Sequence, residues 1–278
     1  MPVLLMRLAA PMQSWGSSSR FTRRETEMCP TKSGVIGMVA AALGVKRDES
    51  LERFMGLRFG VRIDQPGTLM SDFQTARMDN GDMLPLSRRY YLQDAVFLVA
   101  LESADGEELE SYRQALAAPY YQLFLGRRSC PPDGPIQTWL TDEGLEDALR
   151  HAPWRASERY QRSVLRRGGL GNLRMLSIVV EPTVEEGTAN GFVDELRDQP
   201  VSFDPRRRDW TLRRYMRLGG GIPPQPTVHI DVADGEPSGP SGSSEERESG
   251  EVRNTAFDDD MFFETVSGVD TGADTEEL

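Results

Sequence analysis

An apolar run from Val3 to Leu8, bounded by Pro11, opens the chain and predicts a short buried strand. Polar, basic and serine-rich positions follow from Gln13 to Thr31 and predict a long loop. The pattern turns apolar again from Lys32 to Leu43 and stops at Gly44, as a helix with a glycine terminator does. Residues 57–67 place Phe59, Val61 and Ile63 on one face before Pro66-Gly67, so they predict a strand with 69–75 as its hairpin partner. Asn80-Gly81, within 77–87, is a tight-turn signal and predicts the tip of a protruding hairpin. The strongest strand pattern spans 90–102. A helix over 105–119 follows it and stops at Pro119.

This order, β–α–β–β–(β)–α, is close to the ferredoxin-like split βαβ arrangement, so the fold class is α+β. RRM domains use the same order to hold single-stranded RNA on a four-stranded sheet. Residues 1–118 form the expected palm, with the hairpin at about 76–89. The later chain reads as a Gly/Pro-rich basic loop (120–136), a short helix (139–152), a strand (173–182) and a basic, aromatic-laced stretch (200–218). These elements predict a smaller, β-rich appended subdomain over 119–222. From about Pro223 onward Pro, Gly, Ser and acid dominate, which predicts a disordered acidic tail over 223–278. Within it, 257–266 couples acidic residues to an apolar centre and is a candidate docking segment.

Charge sharpens that boundary. The net charge is −12, yet fifteen acids against two arginines lie between Asp231 and Leu278, leaving residues 1–230 near neutral. The basic residues of the body cluster, as in Arg23-Arg24, Arg88-Arg89, Arg127-Arg128 and Arg206-Arg207-Arg208. Two cysteines, Cys29 and Cys130, cannot build a disulfide framework or a zinc site and read as reduced thiols of a cytoplasmic protein. The N-terminus lacks a basic region ahead of its apolar run, so it reads as a strand and not as a signal peptide. No stretch approaches the roughly 18 apolar residues of a membrane span.

Lys32-Ser33-Gly34 at a helix start suggests phosphate binding, but residues 27–31 lack the glycines of an NTP-binding loop. Thr31, Lys32 and Ser33 can still present free N–H groups to one phosphate; a plain N-cap with a solvated lysine explains the same residues. His151 and His229 sit in no triad or metal motif, so no metal, cofactor or catalytic residue is assigned. Arginine pairs beside aromatics (Arg88-Arg89-Tyr90-Tyr91, and Arg213-Arg214-Tyr215) combine phosphate grips with stacking surfaces, as single-stranded nucleic acid binding requires.

Five segments appear in a specific order: MRLAAPMQSWG (6–16), PTKSGVIGMVAAALG (30–44), DFQT (72–75), YLQDAVFLVAL (91–101) and YQLFLGRRSCPP (121–132). With them the chain resembles the Cas-five family of RAMP proteins, the CasD-type subunits of type I-E CRISPR Cascade complexes. The likeness continues through SFDPRRRDWTLRRY to about Gly220. Ala10 stands where the family often has glycine, Gln74 where many members have histidine, and the acidic tail is outside the family pattern. The resemblance implies an RRM-like RAMP palm with a β-hairpin thumb, and an antiviral role holding the 5′ handle of the CRISPR RNA. It implies contacts with a CasC backbone subunit and the CasA large subunit, and with target DNA only through the complex. The expected RNA contacts are Gln13, Ser14, Trp15, Gly16, Ser19, Arg20, Arg23, Arg24, Thr31, Lys32 and Ser33. Arg88, Arg89, Tyr91, Arg127, Arg128, Arg207 and Arg213 complete the set. The alternative is a metal-independent endoribonuclease acting on precursor CRISPR RNA, as in a type I-C relative.

Overall fold

The computed structural model describes residues 1–17, 23–168, 175–183, 193–218 and 223–228. The expectations for Ser19, Arg20, His229 and the acidic tail beyond residue 228 fall outside these residues. In chain order the elements are β1 (Val3–Ala9), β2 (Met12–Gln13), β3 (Arg23–Arg24), α1 (Lys32–Leu43), β4 (Arg58–Gln65), β5 (Thr68–Gln74), β6 (Ser87–Gln93) and β7 (Val96–Glu102). They continue with α2 (Gly106–Ala117), β8 (Gln137–Thr141), α3 (Leu145–His151), α4 (Glu158–Gly168), β9 (Ser177–Val180), β10 (Val193–Ser202) and β11 (Asp209–Arg217).

Seven strands form one sheet in the order β10-β11-β9-β4-β7-β1-β8. Every pairing in it is antiparallel. The central strands β1 and β7 are apolar at nearly every position because both of their faces are covered. Side chains alternate across a strand, so each divides between two cores. Leu4, Met6, Leu8, Phe97, Val99 and Leu101 meet Val35 and Val39 of α1 and Leu109 and Tyr112 of α2. Val3, Leu5, Leu98 and Ala100 meet Leu145 and Leu149 of α3 with Ile178 and Val180 of β9 on the other face.

The helix at 32–43 forms as its pattern predicts. Thr31 caps it by accepting from Gly34 N–H at 3.3 Å, and Gly44 ends it in the left-handed region at φ 80°.

Residues 69–75 do not pair with β4. Both faces of β4 are buried, and its two edges are taken by β7 and β9, leaving no edge for a local hairpin. Pro66-Gly67 is instead a bend at which the chain leaves the large sheet. The apolar run 90–102 likewise breaks in two at Asp94, whose φ is 56° and whose carbonyl accepts from the Gln65 side chain. The β4–β7 ladder thus passes through a bulge at Ile63/Gln65 into the β5–β6 ladder, which pairs Thr68 with Gln93 through Gln74 with Ser87. β5 and β6 belong to a second, four-stranded sheet that also contains β2 and β3.

The expected helix over 139–152 is strand β8 followed by the shorter α3. The stretch 200–218 falls largely within the β10–β11 hairpin. The strands drawn from residues 119–222 hydrogen-bond into the same sheet as β1, β4 and β7. Residues 153–172 carried no sequence expectation, yet they hold α4. No helix among the described residues is long and apolar enough to cross a membrane.

Candidate nucleic-acid interface

The start of α1 is not open to a phosphate. Its Lys32 N–H donates to Asp198 Oδ2 at 2.7 Å, so a carboxylate of the chain itself occupies the positive end of the helix. Arg213 grips the same carboxylate with two bonds, from Nε at 2.7 Å and Nη2 at 2.9 Å. The Lys32 ammonium, buried, donates to Leu57 O at 2.6 Å and lies 2.9 Å from Glu181 Oε1. Burial lowers its pKa, against the opposing pull of Glu181. Neither expectation for Lys32, phosphate grip or solvated lysine, matches these surroundings. Lys32 and Arg213 form a closed structural cluster because β10 and the segment after β9 bring acids to them, and Thr31 and Ser33 are themselves buried.

Gln13, Ser14 and Trp15 are also buried. Gln13 Nε2 donates to Ala95 O at 2.8 Å, and its Oε1 accepts from Trp15 Nε1 at 3.1 Å. The Trp15 ring lies on Gly34, where an added Cβ would approach it to 2.8 Å. Trp15 N–H donates to Thr26 Oγ1 at 2.8 Å, and Glu27 N–H to Trp15 O at 2.6 Å. These three residues shape the loop from inside and present no side chain to a ligand, whereas Gly16 is exposed.

The surviving cations converge on β6. β3 pairs parallel to it, with Arg23 opposite Arg88 and Arg24 opposite Arg89. Arg24 and Arg88 are exposed, with no carboxylate at salt-bridge distance among the described residues. Like charges directly opposite on neighbouring strands are destabilising, and a bound polyanion offsets that repulsion. On one face the guanidinium of Arg88 lies 4.7 Å from the Phe73 ring centre, and that of Arg23 lies 5.6 Å from the Tyr90 ring centre. Phe73 is 52% exposed. Arg23 is also paired with Glu25 at 2.8 Å, an exposed contact of small worth.

The other face of β6 is the supported one. Tyr91, expected to stack on a ligand, is buried beneath the Arg127 guanidinium, 4.9 Å from its ring centre. Arg127 donates to Arg24 O at 2.8 Å, Glu25 O at 3.1 Å and Tyr90 O at 3.1 Å. It clamps β3 onto β6 and has little left for a phosphate. Gly126 allows this close approach: its φ is 91°, and a Cβ there would overlap the Ser14 carbonyl. Arg128 is exposed beside the clamp, and Arg89 is half-buried. Arg207 is exposed in the β10–β11 turn, where its N–H donates to Asp204 O at 3.0 Å, and no described contact links it to β6.

Sequence reasoning missed Phe73 and chose Tyr91 over Tyr90. Strand alternation was the signal for the second error, because of two successive residues only one can share a face with Arg88. Nothing in the sequence marked Asp198 or Glu181 as partners of the α1 start. Burial pushes the Cys29 thiol up to about 12, so it is no thiolate nucleophile. Among the described residues no group of His, Cys, Asp and Glu is placed to hold a metal ion.

The family model for CRISPR-associated protein (Cas_Cas5) matches residues 3–215. The CRISPR system Cascade subunit CasD of Escherichia coli (strain K12) is 34% identical over 153 residues, covering 48% of this chain and 68% of that protein. A chain of a solved CRISPR RNA-guided surveillance complex aligns with a TM-score of 0.61 at 31% identity, covering 80% of this chain and 91% of that one. A crystal structure of a Cas protein aligns at 0.57 and 33% identity, covering 81% of this chain and 99% of that one. The family model runs from β1 into β11, including both strands of the arginine patch, and the chain belongs to the CRISPR-associated Cas_Cas5 family.

Proposed function

We propose that this chain is the non-catalytic, RNA-binding Cascade subunit that holds the 5′ handle of the CRISPR RNA in antiviral defence. The observation that carries this reading is the pairing of Arg23 with Arg88 beside Phe73 and Tyr90, since guanidinium grips and aromatic rings together suit an unstacked single strand. The strand order β8-β1-β7-β4, with α1 and α2 as crossovers, reads as a ferredoxin-like RAMP palm. The β5–β6 hairpin reads as its thumb. Leu69, Phe73, Met78, Met83, Leu84 and Leu86 are all exposed along it, which supports a protein contact at the thumb, assigned to the CasC backbone subunit. The CasA large subunit is the second protein partner, and target DNA is reached through the assembled cytoplasmic complex. Gln74, with an amide in place of an imidazole where β5 ends opposite Ser87, supports a binding role over an endoribonuclease.

The test is anisotropy of a handle-bearing RNA across a salt series, for the natural protein and the Arg23→Ala/Arg88→Ala variant. Loss of two single-strand phosphate contacts flattens the logarithmic salt slope by about 1.4. Unchanged affinity and slope would place the handle elsewhere.

A further inference from the structure

α4 carries a second cationic surface that the handle reading does not use. Ser157 starts the helix, accepting from Tyr160 N–H at 3.3 Å through its hydroxyl and from Gln161 N–H at 2.9 Å through its carbonyl. The inner face is anchored: Tyr160 meets Trp154 edge-on at 6.2 Å, and Gln161 donates to Ala156 O at 2.9 Å and accepts from Thr227 N–H at 2.9 Å. The outer face shows Arg159, Arg162 and Arg166, all exposed, at i, i+3 and i+7. At 3.6 residues per turn they fall within an arc of about 60°.

Two features set this ridge apart from ordinary surface charge. Arg159 lies in the first turn, where the helix dipole disfavours a cation, so local helix energetics do not account for it. Arg159, Arg166 and the adjacent Arg167 have no ion-pair partner among the described residues. Arg162 alone is paired, with Glu158 at 2.8 Å, and both side chains are at least half exposed, so a phosphate can displace that contact. No aromatic side chain lies among these arginines, unlike the β3–β6 patch with its Phe73 and Tyr90. Without a stacking platform, the ridge can read a phosphate backbone but not splayed bases.

We propose that the outer face of α4 binds the phosphate backbone of double-stranded nucleic acid. Arg159 to Arg166 extends about 10 Å along the helix, matching roughly three successive phosphates of one duplex strand. The inference stands on α4 alone and does not rest on the handle reading.

Full-length protein is titrated with a labelled random-sequence duplex of two helical turns, and separately with single-stranded RNA, over a salt series. The variant is Arg159→Gln/Arg162→Gln/Arg166→Gln, with Arg159→Gln alone as the milder change. Three lost contacts flatten the duplex salt slope by about 2.7, so between about 50 and about 200 mM salt the natural protein loses roughly 40-fold more affinity than the triple variant. The single variant flattens the slope by about 0.9. Single-strand binding stays unchanged in both. The inference is overturned by duplex slopes equal to the natural protein's, by no duplex binding at low salt, or by a loss confined to single-stranded RNA.

Discussion

Lys32 and Arg213 at the start of α1, and Arg23 and Arg88 on the β3–β6 edge, are cations of one kind in opposite situations. The first pair is buried and closed by Asp198 and Glu181 at 2.7 to 3.1 Å. The second is exposed, aligned like against like, and faces aromatic rings. A motif of helix start plus lysine announces a phosphate site only if the fold leaves that end of the helix unoccupied. Here a carboxylate fills it, and the available positive charge moves to a strand edge.

The largest effect that can break this contrast is on stability. Asp198→Ala leaves the Arg213 guanidinium buried without its bidentate partner and opens the α1 N-terminus, and it is expected to cost about 3–5 kcal/mol in urea denaturation. Retention of full stability would mean the cluster is dispensable, and the helix start would return as a phosphate site. An intermediate effect sharpens the other side of the contrast. Phe73→Ala removes an exposed ring, so stability is expected to stay within about 0.5 kcal/mol. Affinity for handle-bearing RNA falls by about 1–3 kcal/mol if the ring stacks on a base. Unaltered RNA affinity would make Phe73 a protein-contact residue only.

The smallest effect concerns Glu27, which feels both regions. Burial raises its carboxyl pKa, and repulsion from Asp198 and Glu25 adds to this against the lowering hydrogen bond from Ser17. The raised value means that the stability tied to its protonated form is full below the ordinary carboxylate range and lost as pH rises through the folded-state value. Glu27→Gln should therefore match the natural protein's melting temperature near about pH 4 and exceed it at about pH 7. A lower melting temperature for the variant at neutral pH would show that the ionised carboxylate is stabilised where it sits.

How much of this was legible in advance follows from what each element depends on. β1, α1 and α2 were readable because a buried strand, a glycine stop and a proline stop are local signals. β4 and β5 were misjoined because a bend at Pro66-Gly67 and a hairpin turn there have the same residues. Only the burial of both β4 faces separates them. α4 was overlooked although Tyr160, Val164 and Leu165 share one face with Gln161 at helical spacing, opposite Arg159, Arg162 and Arg166. Of the expected RNA contacts, Arg23, Arg24, Arg88 and Arg128 lie exposed, whereas Gln13, Ser14, Trp15, Lys32 and Arg213 are interior.

The sequence by itself determined which segments are apolar, where they stop, and that the body is rich in clustered arginine. The tertiary structure decided which of those cations remain free. Apolar burial accumulates residue by residue and leaves its period in the chain. The Lys32 ammonium meets Glu181 across 149 residues, and the Lys32 backbone N–H meets Asp198 across 166. A charge neutralised at such a range carries no mark in its neighbours, and only the folded sheet, by bringing β10 to the start of α1, makes the match.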